Sequence, residues 1–188
     1  MNQKTNLFPL TMKLTAALTA SATVLLAVAS RFLSWGWLLP CAISCGTVCY
    51  HFSMRLAVGA MVPLFTGKCD PEHSWFRQRK IERKLYRFLG VKHWKQKLPT
   101  YDPSQFDLER HGLGQVIHNM CNAEIVHEVI IVFSWVPLLF AIPFGEFPVF
   151  LITSALAALF DSSFVMIQRY NRPRLMRILK KKEAKACE

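Results

Sequence analysis

The sequence has 188 residues, of which 52% are hydrophobic, and its mean hydropathy is +0.23. This composition excludes a disordered chain, a collagen and a disulfide scaffold, and it is unusual for a soluble domain of this length. Lys and Arg number 23 against 12 Asp and Glu, a net charge of +11, which suits nucleic acid, a phosphate-bearing ligand or an anionic membrane face.

Two long stretches without Asp, Glu, Lys or Arg begin the sequence. One of seventeen residues separates Lys13 from Arg31, and the other covers residues 32–54. Each is long enough to cross about 30 Å of hydrocarbon as a helix. The first has an alternative interpretation as a signal peptide, because Ala27-Val28-Ala29 follows an apolar run as a cleavage site would. We predict a two-span segment over residues 1–66, with a first span that is signal-like in pattern.

A polar and strongly basic loop follows over residues 67–122. Within it, Ser74 to Leu89 is a predicted amphipathic helix, with Ser74 as its N-cap and Gly90 at its stop position. Apolar side chains recur there at helical spacing among cations, a pattern typical of a helix in the lipid headgroup layer. The same cations are also suited to the phosphates of an acyl thioester donor, and electrostatics alone does not separate the two interpretations.

Two more apolar runs, Ile125–Phe144 and Phe147–Ile167, are separated by a short turn. They predict third and fourth spans over residues 123–167, followed by a basic tail at 168–188. Because the 67–122 loop and the tail carry most cations, the positive-inside rule makes both of them, and both termini, cytoplasmic. We therefore predict an all-α integral protein of the cell membrane, with four transmembrane helices, a cytoplasmic amphipathic helical loop and a basic C-terminal tail. This placement explains most of the net charge without a nucleic-acid partner.

Ionisable residues at membrane depth are costly and mark candidate functional sites. Glu124, His127 and Glu128 have spacings that place them on one helical face at the start of the third span. We predict His127 as a general base and Glu124 as its orienting carboxylate, the alternative being a polar cap at the membrane interface. His51 in the second span is the other candidate base and is expected to face His127. Asp161 is a partner for an arginine or a histidine, or a packing polar group.

The tail motif Gln168-Arg169-Tyr170-Asn171-Arg172-Pro173-Arg174-Leu175 places many hydrogen-bond donors beside the fourth span. Arginines there can simply stop the span and complement the helix dipole. Proline disfavours a helical conformation at Arg172, so we predict a bend that turns donors back toward the membrane surface. The predicted substrate-binding residues, for a sugar, a phosphate or a developing oxyanion, are Gln168, Arg169, Tyr170, Asn171, Arg172 and Arg174, with Trp94 and Lys95 at the donor entrance.

Several catalytic signatures are absent from the sequence. It has no H-E-x-x-H, no C-x-x-C, no G-x-S-x-G and no phosphate-binding glycine loop. Glu124 with His127 supplies only two metal ligands, so we predict neither a metal site nor a bound cofactor.

Three stretches carry a resemblance to a known family: Val91–Pro99, Ala123–His127 and, above all, Gln168–Leu175. Together they resemble the glycosyl-4,4'-diaponeurosporenoate acyltransferase family, from about Trp75 to the C-terminus. The resemblance implies a membrane enzyme that esterifies a sugar hydroxyl of a membrane glycolipid, such as a glycosylated carotenoid, with a fatty acyl chain. Its partners would be the lipid bilayer, that acceptor and a cytoplasmic thioester co-substrate, either acyl-CoA or an acyl carrier.

Two other functions stay open at this point. A metal-dependent membrane hydrolase or protease would use Glu124, His127 and His51 around a metal ion. A non-catalytic membrane accessory protein would use its basic faces only to bind anionic lipid or a partner protein.

Overall fold

The computed structural model describes residues 7–67 and 69–186, and its regular secondary structure in these ranges is entirely helical. Residues 1–6, Lys68 and 187–188 lie outside it, and with them the start of the predicted two-span segment and the end of the predicted tail. The described α-helices are α1 (Phe8–Phe32), α2 (Leu38–Thr66), α3 (Lys80–Phe88), α4 (Val91–Trp94), α5 (Leu113–Phe133), α6 (Ala141–Phe144) and α7 (Phe147–Ala186). The 3₁₀ segments are Ser74–Phe76, Pro103–Phe106 and Val136–Phe140.

Four helical stretches are long and apolar enough to cross a membrane: α1, α2, Leu113–Phe144 and α7. Large apolar side chains on them, such as Leu25 and Leu159, are exposed rather than packed against protein. Exposed apolar surface on this scale is expected of helices that lipid solvates. The prediction of an all-α membrane protein with four membrane-spanning helices is therefore confirmed.

The second and third membrane-spanning helices are longer than the apolar runs that predict them. Helix α2 continues through Pro63 to Thr66, and α5 begins at Leu113, well before Ile125. The early start of α5 is explained by its inward-facing side chains, because Val116 and Ile117 are buried. Hydropathy alone does not detect these first turns of α5, since their outward-facing positions are polar.

Helix α7 continues where a bend was predicted. Arg172 is helical and α7 runs through Pro173 to Ala186, so the predicted departure from helical conformation is wrong. Proline removes one backbone hydrogen bond from the helix. Buried ion pairs made by Arg169 and Arg172 hold this stretch in place and outweigh the local preference.

The predicted helix from Ser74 to Leu89 is also wrong in its first half. A continuous helix would need the carbonyls of Trp75 and Phe76 to accept backbone hydrogen bonds from four residues onward. Instead, Arg169 Nη2 donates to the Trp75 carbonyl at 3.3 Å and Arg172 Nη2 donates to the Phe76 carbonyl at 2.5 Å. The 3₁₀ segment therefore ends at Phe76.

Helix α3 starts anew after this interruption. The Arg79 N–H donates to a carboxylate oxygen of Glu82 at 3.2 Å, which satisfies a backbone donor at the helix start. The helix ends at Phe88, and Gly90 has a φ of 61°, a conformation that glycine adopts without strain. The stop position predicted at Gly90 agrees with this geometry.

The chain folds as two compact units. The first unit comprises Met1–Met61 and Val129–Asp161, and the second comprises Val62–Glu128 and Ser162–Glu188. The core of the first unit includes Leu38, Ala42, Met54, Val58, Phe150 and Ala158. The core of the second unit includes Phe76, Tyr86, Val91, Val116, Ile117 and Met120. Most of the predicted site residues belong to the second unit.

Candidate active site

A buried ion-pair cluster joins α5 and α7 in the second unit. Glu124 is 0% exposed, and its Oε1 accepts a hydrogen bond from Arg169 Nε at 2.7 Å. Its Oε2 accepts a hydrogen bond from Arg172 Nη1, and Arg172 is itself only 1% exposed. Two guanidinium groups thus share one carboxylate. Charges at this depth are tolerated because each one is paired.

Arg169 extends the cluster to two more carboxylates. Its Nη1 donates to Glu82 at 2.8 Å and its Nη2 donates to Glu128 at 3.1 Å. A planar guanidinium has five N–H donors on three nitrogens and can make these bonds together with those to Glu124 and the Trp75 carbonyl, whereas the three N–H donors of an ammonium group could not supply all four. Three carboxylates against the two guanidinium groups leave the cluster with a formal charge of −1.

The 3₁₀ segment Ser74–Phe76 is attached to this cluster by its side chains as well as its carbonyls. Trp75 Nε1 donates to Glu128 Oε2 at 2.8 Å. The Arg172 guanidinium lies 4.8 Å from the centroid of the Phe76 ring, a cation–π distance. The loop that was predicted to be interfacial is therefore fixed to α5 and α7 through charged groups.

His127 lies one helical turn beyond Glu124 on α5. Its ring stacks on Phe164 of α7, with centroids 4.6 Å apart and planes inclined by 6°. Such a contact orients the imidazole. The role of His127 as a base, and that of Glu124 in orienting it, stay predictions, and the bonds observed for Glu124 are those to the two arginines.

His51 belongs to the first unit, and its predicted role as a base is not tested. It is buried on α2, and neither ring nitrogen has a hydrogen-bond partner among the residues described. Its carbonyl accepts from Arg55 Nη1 at 3.1 Å, and Arg55 Nε donates to Asp161 Oδ2 at 3.0 Å. Asp161 is thus the partner of an arginine, one of the two alternatives that the sequence left open.

Four of the predicted substrate-binding residues lie together on α7 and just after α4. Lys95 Nζ donates to Asn171 Oδ1 at 2.6 Å and lies 5.0 Å from the centroid of the Tyr170 ring. Arg174 Nη2 donates to the Tyr170 hydroxyl at 2.8 Å, and its guanidinium lies 4.3 Å from the same centroid. Two cations therefore contact one aromatic ring.

Trp94 and Gln168, also predicted to bind substrate, have more local surroundings. Trp94 Nε1 donates to the Leu89 carbonyl at 3.0 Å, which ties α4 to the end of α3. Gln168 is buried on α7, one residue before Arg169.

A cavity of about 860 Å³ lies in the second unit, a volume typical of small-molecule and cofactor sites. Tyr170, Arg172 and Arg174 line it, so three of the predicted binding residues meet there. Six further cationic side chains complete its charged wall: Arg77, Arg83, Arg87, Lys92, Arg177 and Lys180. Among the lining residues the single carboxylate is that of Glu72, which pairs with Lys180 at 2.6 Å.

Tyr86 is a buried member of the cavity wall. Burial raises the pKa of its phenol to about 12, and the negative charge of Glu82 contributes in the same direction. The hydroxyl therefore stays protonated at neutral pH, where it can donate a hydrogen bond to an anion.

Sequence reasoning missed Glu82, Trp75 and Phe76 as members of the cluster. Glu82 is the only acidic residue between Ser74 and Lys97, and its isolation among cations is the signal that could have identified it. The sequence carries no such signal for the carbonyl groups of Trp75 and Phe76, because every residue has one. In the part of the chain that the structure describes, no group of three or more His, Cys, Asp or Glu is placed to hold a metal ion.

Four membrane-spanning helices, a buried charged cluster and a cationic cavity define a small helical membrane protein. The model of the glycosyl-4,4'-diaponeurosporenoate acyltransferase (CrtO) family matches residues 72–181, more than half of the chain. The chain belongs to this family and is therefore an acyltransferase. The matched region contains every residue of the ion-pair cluster. Comparisons with curated proteins and with solved structures find no match.

Proposed function

We propose that the protein transfers a fatty acyl group from a thioester donor to a sugar hydroxyl of a membrane glycolipid, with a glycosylated carotenoid as the acceptor. Membership of the family supports the class of reaction and the type of acceptor. The structural observation that supports it best is the position of Arg172, which belongs to both the cavity wall and the buried cluster. This side chain links a site suited to an anionic donor to the helix that carries His127.

In this proposal, His127 accepts the proton of the attacking sugar hydroxyl. The hydroxyl oxygen bonds to the thioester carbonyl carbon, the C–S bond breaks, and the leaving thiolate takes the proton from His127. The stacking contact with Phe164 holds the imidazole in one orientation during both transfers. Glu124 contributes by fixing α5 to α7, which keeps the relative position of His127 and Arg172 constant.

The acyl carbonyl oxygen becomes negative as the hydroxyl adds, so donors near it stabilise the transition state. The Tyr86 hydroxyl is a buried donor in the cavity wall that we assign to this task or to the donor's phosphates. The Arg172 guanidinium, whose Nη groups already donate to Glu124 and to the Phe76 carbonyl, contributes its positive charge to the same wall. Arg169 and Asn171 act indirectly, because their side chains are bonded to carboxylates and to Lys95.

We also propose a cytoplasmic location for the basic loop and for both termini in the cell membrane. The cations of the loop and of the end of α7 support this orientation by the positive-inside rule. The thioester donor then reaches the cavity from the cytoplasm, and the glycolipid acceptor arrives through the bilayer. The two substrates differ so much in polarity that separate entrances are chemically reasonable.

The test is an acyl-transfer assay with the purified protein in lipid nanodiscs. A thioester donor and a glycosylated carotenoid are supplied, and mass spectrometry measures acceptor that has gained one acyl group. We expect His127→Gln to insert and fold normally but to lose about 100-fold or more in rate. The matched control is His111→Gln, in the loop before α5 rather than on the helix that carries Glu124, which should retain the wild-type rate.

The same assay separates the competing functions. A metal-dependent hydrolase would release a cleaved product and would lose activity with a chelator. An accessory protein would yield no acylated product in either the wild type or the variant. A normal rate in His127→Gln would refute the assignment of the base.

A further inference from the structure

We infer that the cavity of the second unit binds the phosphorylated nucleotide of coenzyme A, which makes acyl-CoA the donor rather than a carrier-bound phosphopantetheine thioester. This inference rests on the proposed function and names its donor. It depends on the charge, position and surroundings of the side chains that line the cavity.

Four cations in the cavity wall have no internal partner in the described chain. Arg77, Arg83, Arg87 and Lys92 line the cavity, and their side chains have no ion-pair or hydrogen-bond partner among the described residues. Like charges gathered in one concave site repel one another and attract a multivalent anion. The 3'-phosphate and 5'-diphosphate of coenzyme A together carry about four negative charges near neutral pH. A carrier-bound phosphopantetheine has a single phosphodiester charge, which would leave most of these cations uncompensated.

Arginine binds phosphate with more geometric specificity than lysine does. Three of the four unpartnered cations are arginines, whose planar donor groups match phosphate oxygens in two-point hydrogen bonds. They come from two separate stretches of the chain, the residues before α3 and α3 itself, so the site does not depend on a single helix end. His93, exposed on the same wall, offers a ring against which a purine base can stack.

A soluble nucleotide and a lipid headgroup present the same phosphate chemistry, and the two faces of α3 distinguish between them. Helical spacing puts the exposed apolar side chains of Ile81, Leu85 and Phe88 on one face of α3. Arg83 and Tyr86, which line the cavity, project from the opposite face. The cavity is therefore on the side of α3 turned away from the surface that suits lipid.

The probe for this site is adenosine 3',5'-bisphosphate, measured by calorimetry on the full-length protein in detergent. We expect saturable binding of the bisphosphate. The affinity for 5'-AMP should be lower by a factor of about ten or more, because the lost 3'-phosphate removes a charge-assisted hydrogen bond. The double variant Arg83→Gln/Arg87→Gln should weaken binding of the bisphosphate by a further factor of about ten or more. Lys84→Gln is the matched control, since Lys84 lies on the same helix but does not line the cavity.

Several results would overturn the inference. Equal affinity for the bisphosphate in the double variant and in Lys84→Gln would place the nucleotide elsewhere. Displacement of the bound bisphosphate by nanodiscs containing phosphatidylglycerol, but not by neutral ones, would make the cavity a lipid headgroup site. Acyl transfer from a carrier thioester but not from acyl-CoA would refute the donor while leaving the proposed function intact. Binding of the bisphosphate without acyl transfer from either donor would instead refute the proposed function.

Discussion

Arg172 and Glu124 form an ion pair that is completely enclosed by protein, and Arg172 also contributes to the wall of the cationic cavity. The same guanidinium donates to the Phe76 carbonyl and packs over the Phe76 ring. One side chain therefore contacts α5, the loop segment before α3 and the space that we assign to the donor. A ligand bound in the cavity therefore meets a guanidinium group that its contacts with Glu124 and Phe76 already hold in position.

We predict that Glu124→Gln strongly destabilises the protein. The substitution leaves the buried Arg172 guanidinium without its carboxylate and removes one of the three carboxylate partners of the partly buried Arg169, a loss of about 3–5 kcal/mol in the free energy of unfolding. Denaturation of the purified variant in detergent, followed by circular dichroism, measures this loss. The double variant Glu124→Gln/Arg172→Met should recover part of it, because it also removes the unpaired charge.

The control for this experiment is Asp107→Asn, which removes an exposed pair with Arg110 at 3.6 Å. An exposed pair contributes less than about 1 kcal/mol. If Glu124→Gln unfolds at the same denaturant concentration as this control, the buried ion pair does not stabilise the fold as we describe.

A second prediction concerns Arg169, which bonds to three carboxylates. Arg169→Lys keeps the charge, but three N–H donors on one nitrogen cannot replace four bonds made from three nitrogens, so carboxylates are left with weaker compensation of their mutual repulsion. We expect a loss of about 1–3 kcal/mol in the free energy of unfolding. Arg110→Lys, at an exposed position, should change stability by less than about 0.5 kcal/mol. Equal effects of the two substitutions would contradict the bridging role of Arg169.

A third prediction is the titration of Tyr86. Its pKa of about 12 in the folded protein, against a usual value of 10.0, means that the folded state holds the proton more tightly than the unfolded state does. Stability is therefore unaffected below pH 10 and falls as the pH rises from about 10 to 12. The ultraviolet absorbance difference between the wild type and Tyr86→Phe should develop near pH 12 in detergent.

The same two proteins supply the control in denaturant, where the absorbance difference should move down to about pH 10. A difference that develops at pH 10 in the folded protein would show that the phenol is not buried. The fall in stability above pH 10 should also be smaller in Tyr86→Phe.

A fourth prediction follows from the continuity of α7. Pro173→Ala supplies the backbone N–H that proline lacks in a helix interior, so stability should be unchanged or higher by up to about 3 kcal/mol. Pro103→Ala is a useful contrast, because Pro103 begins a 3₁₀ segment where its missing donor costs nothing. A clear loss of stability in Pro173→Ala would mean that the proline supports the observed conformation.

A fifth prediction is that the exposed apolar face of α3 contacts lipid. A nitroxide label on Phe88→Cys should be accessible to oxygen dissolved in lipid, and a label on Arg83→Cys should be accessible to a water-soluble nickel complex. Both would be placed in a variant whose native cysteines are replaced, and measured in nanodiscs. Preference of both labels for the nickel complex would show that α3 does not contact the bilayer.

The membrane-spanning helices could be predicted from sequence because their cause is local. Uncharged runs of the required length favour lipid wherever they occur, so Lys13 and Arg31 mark the first span without any knowledge of its neighbours. The start of α5 could not be found in this way. Its first turns are stabilised by burial of Val116 and Ile117, which only the tertiary contacts reveal.

The residues of the cluster could be recognised, but not their pairing. Glu124, Arg169 and Arg172 could be identified because charged residues near membrane depth are energetically costly and mark functional or structural sites. The partner of each depends on contacts between distant segments, which the sequence does not show. The same contacts explain both errors of local prediction. Arg169 and Arg172 donate to the carbonyls of Trp75 and Phe76, which therefore do not accept the backbone hydrogen bonds of a helix. Ion pairs keep Arg172 helical beside Pro173.

The order of residues along the chain gives the Arg169 bridge a consequence for biosynthesis. Glu82 and Glu124 leave the ribosome long before Arg169 does, and their shared counter-ion arrives only with the last helix. Until then the earlier segments hold carboxylates that favour water over the membrane interior. Completion of the ion-pair cluster must therefore wait for insertion of α7, and a nascent chain arrested before Arg169 should be a substrate for membrane quality control.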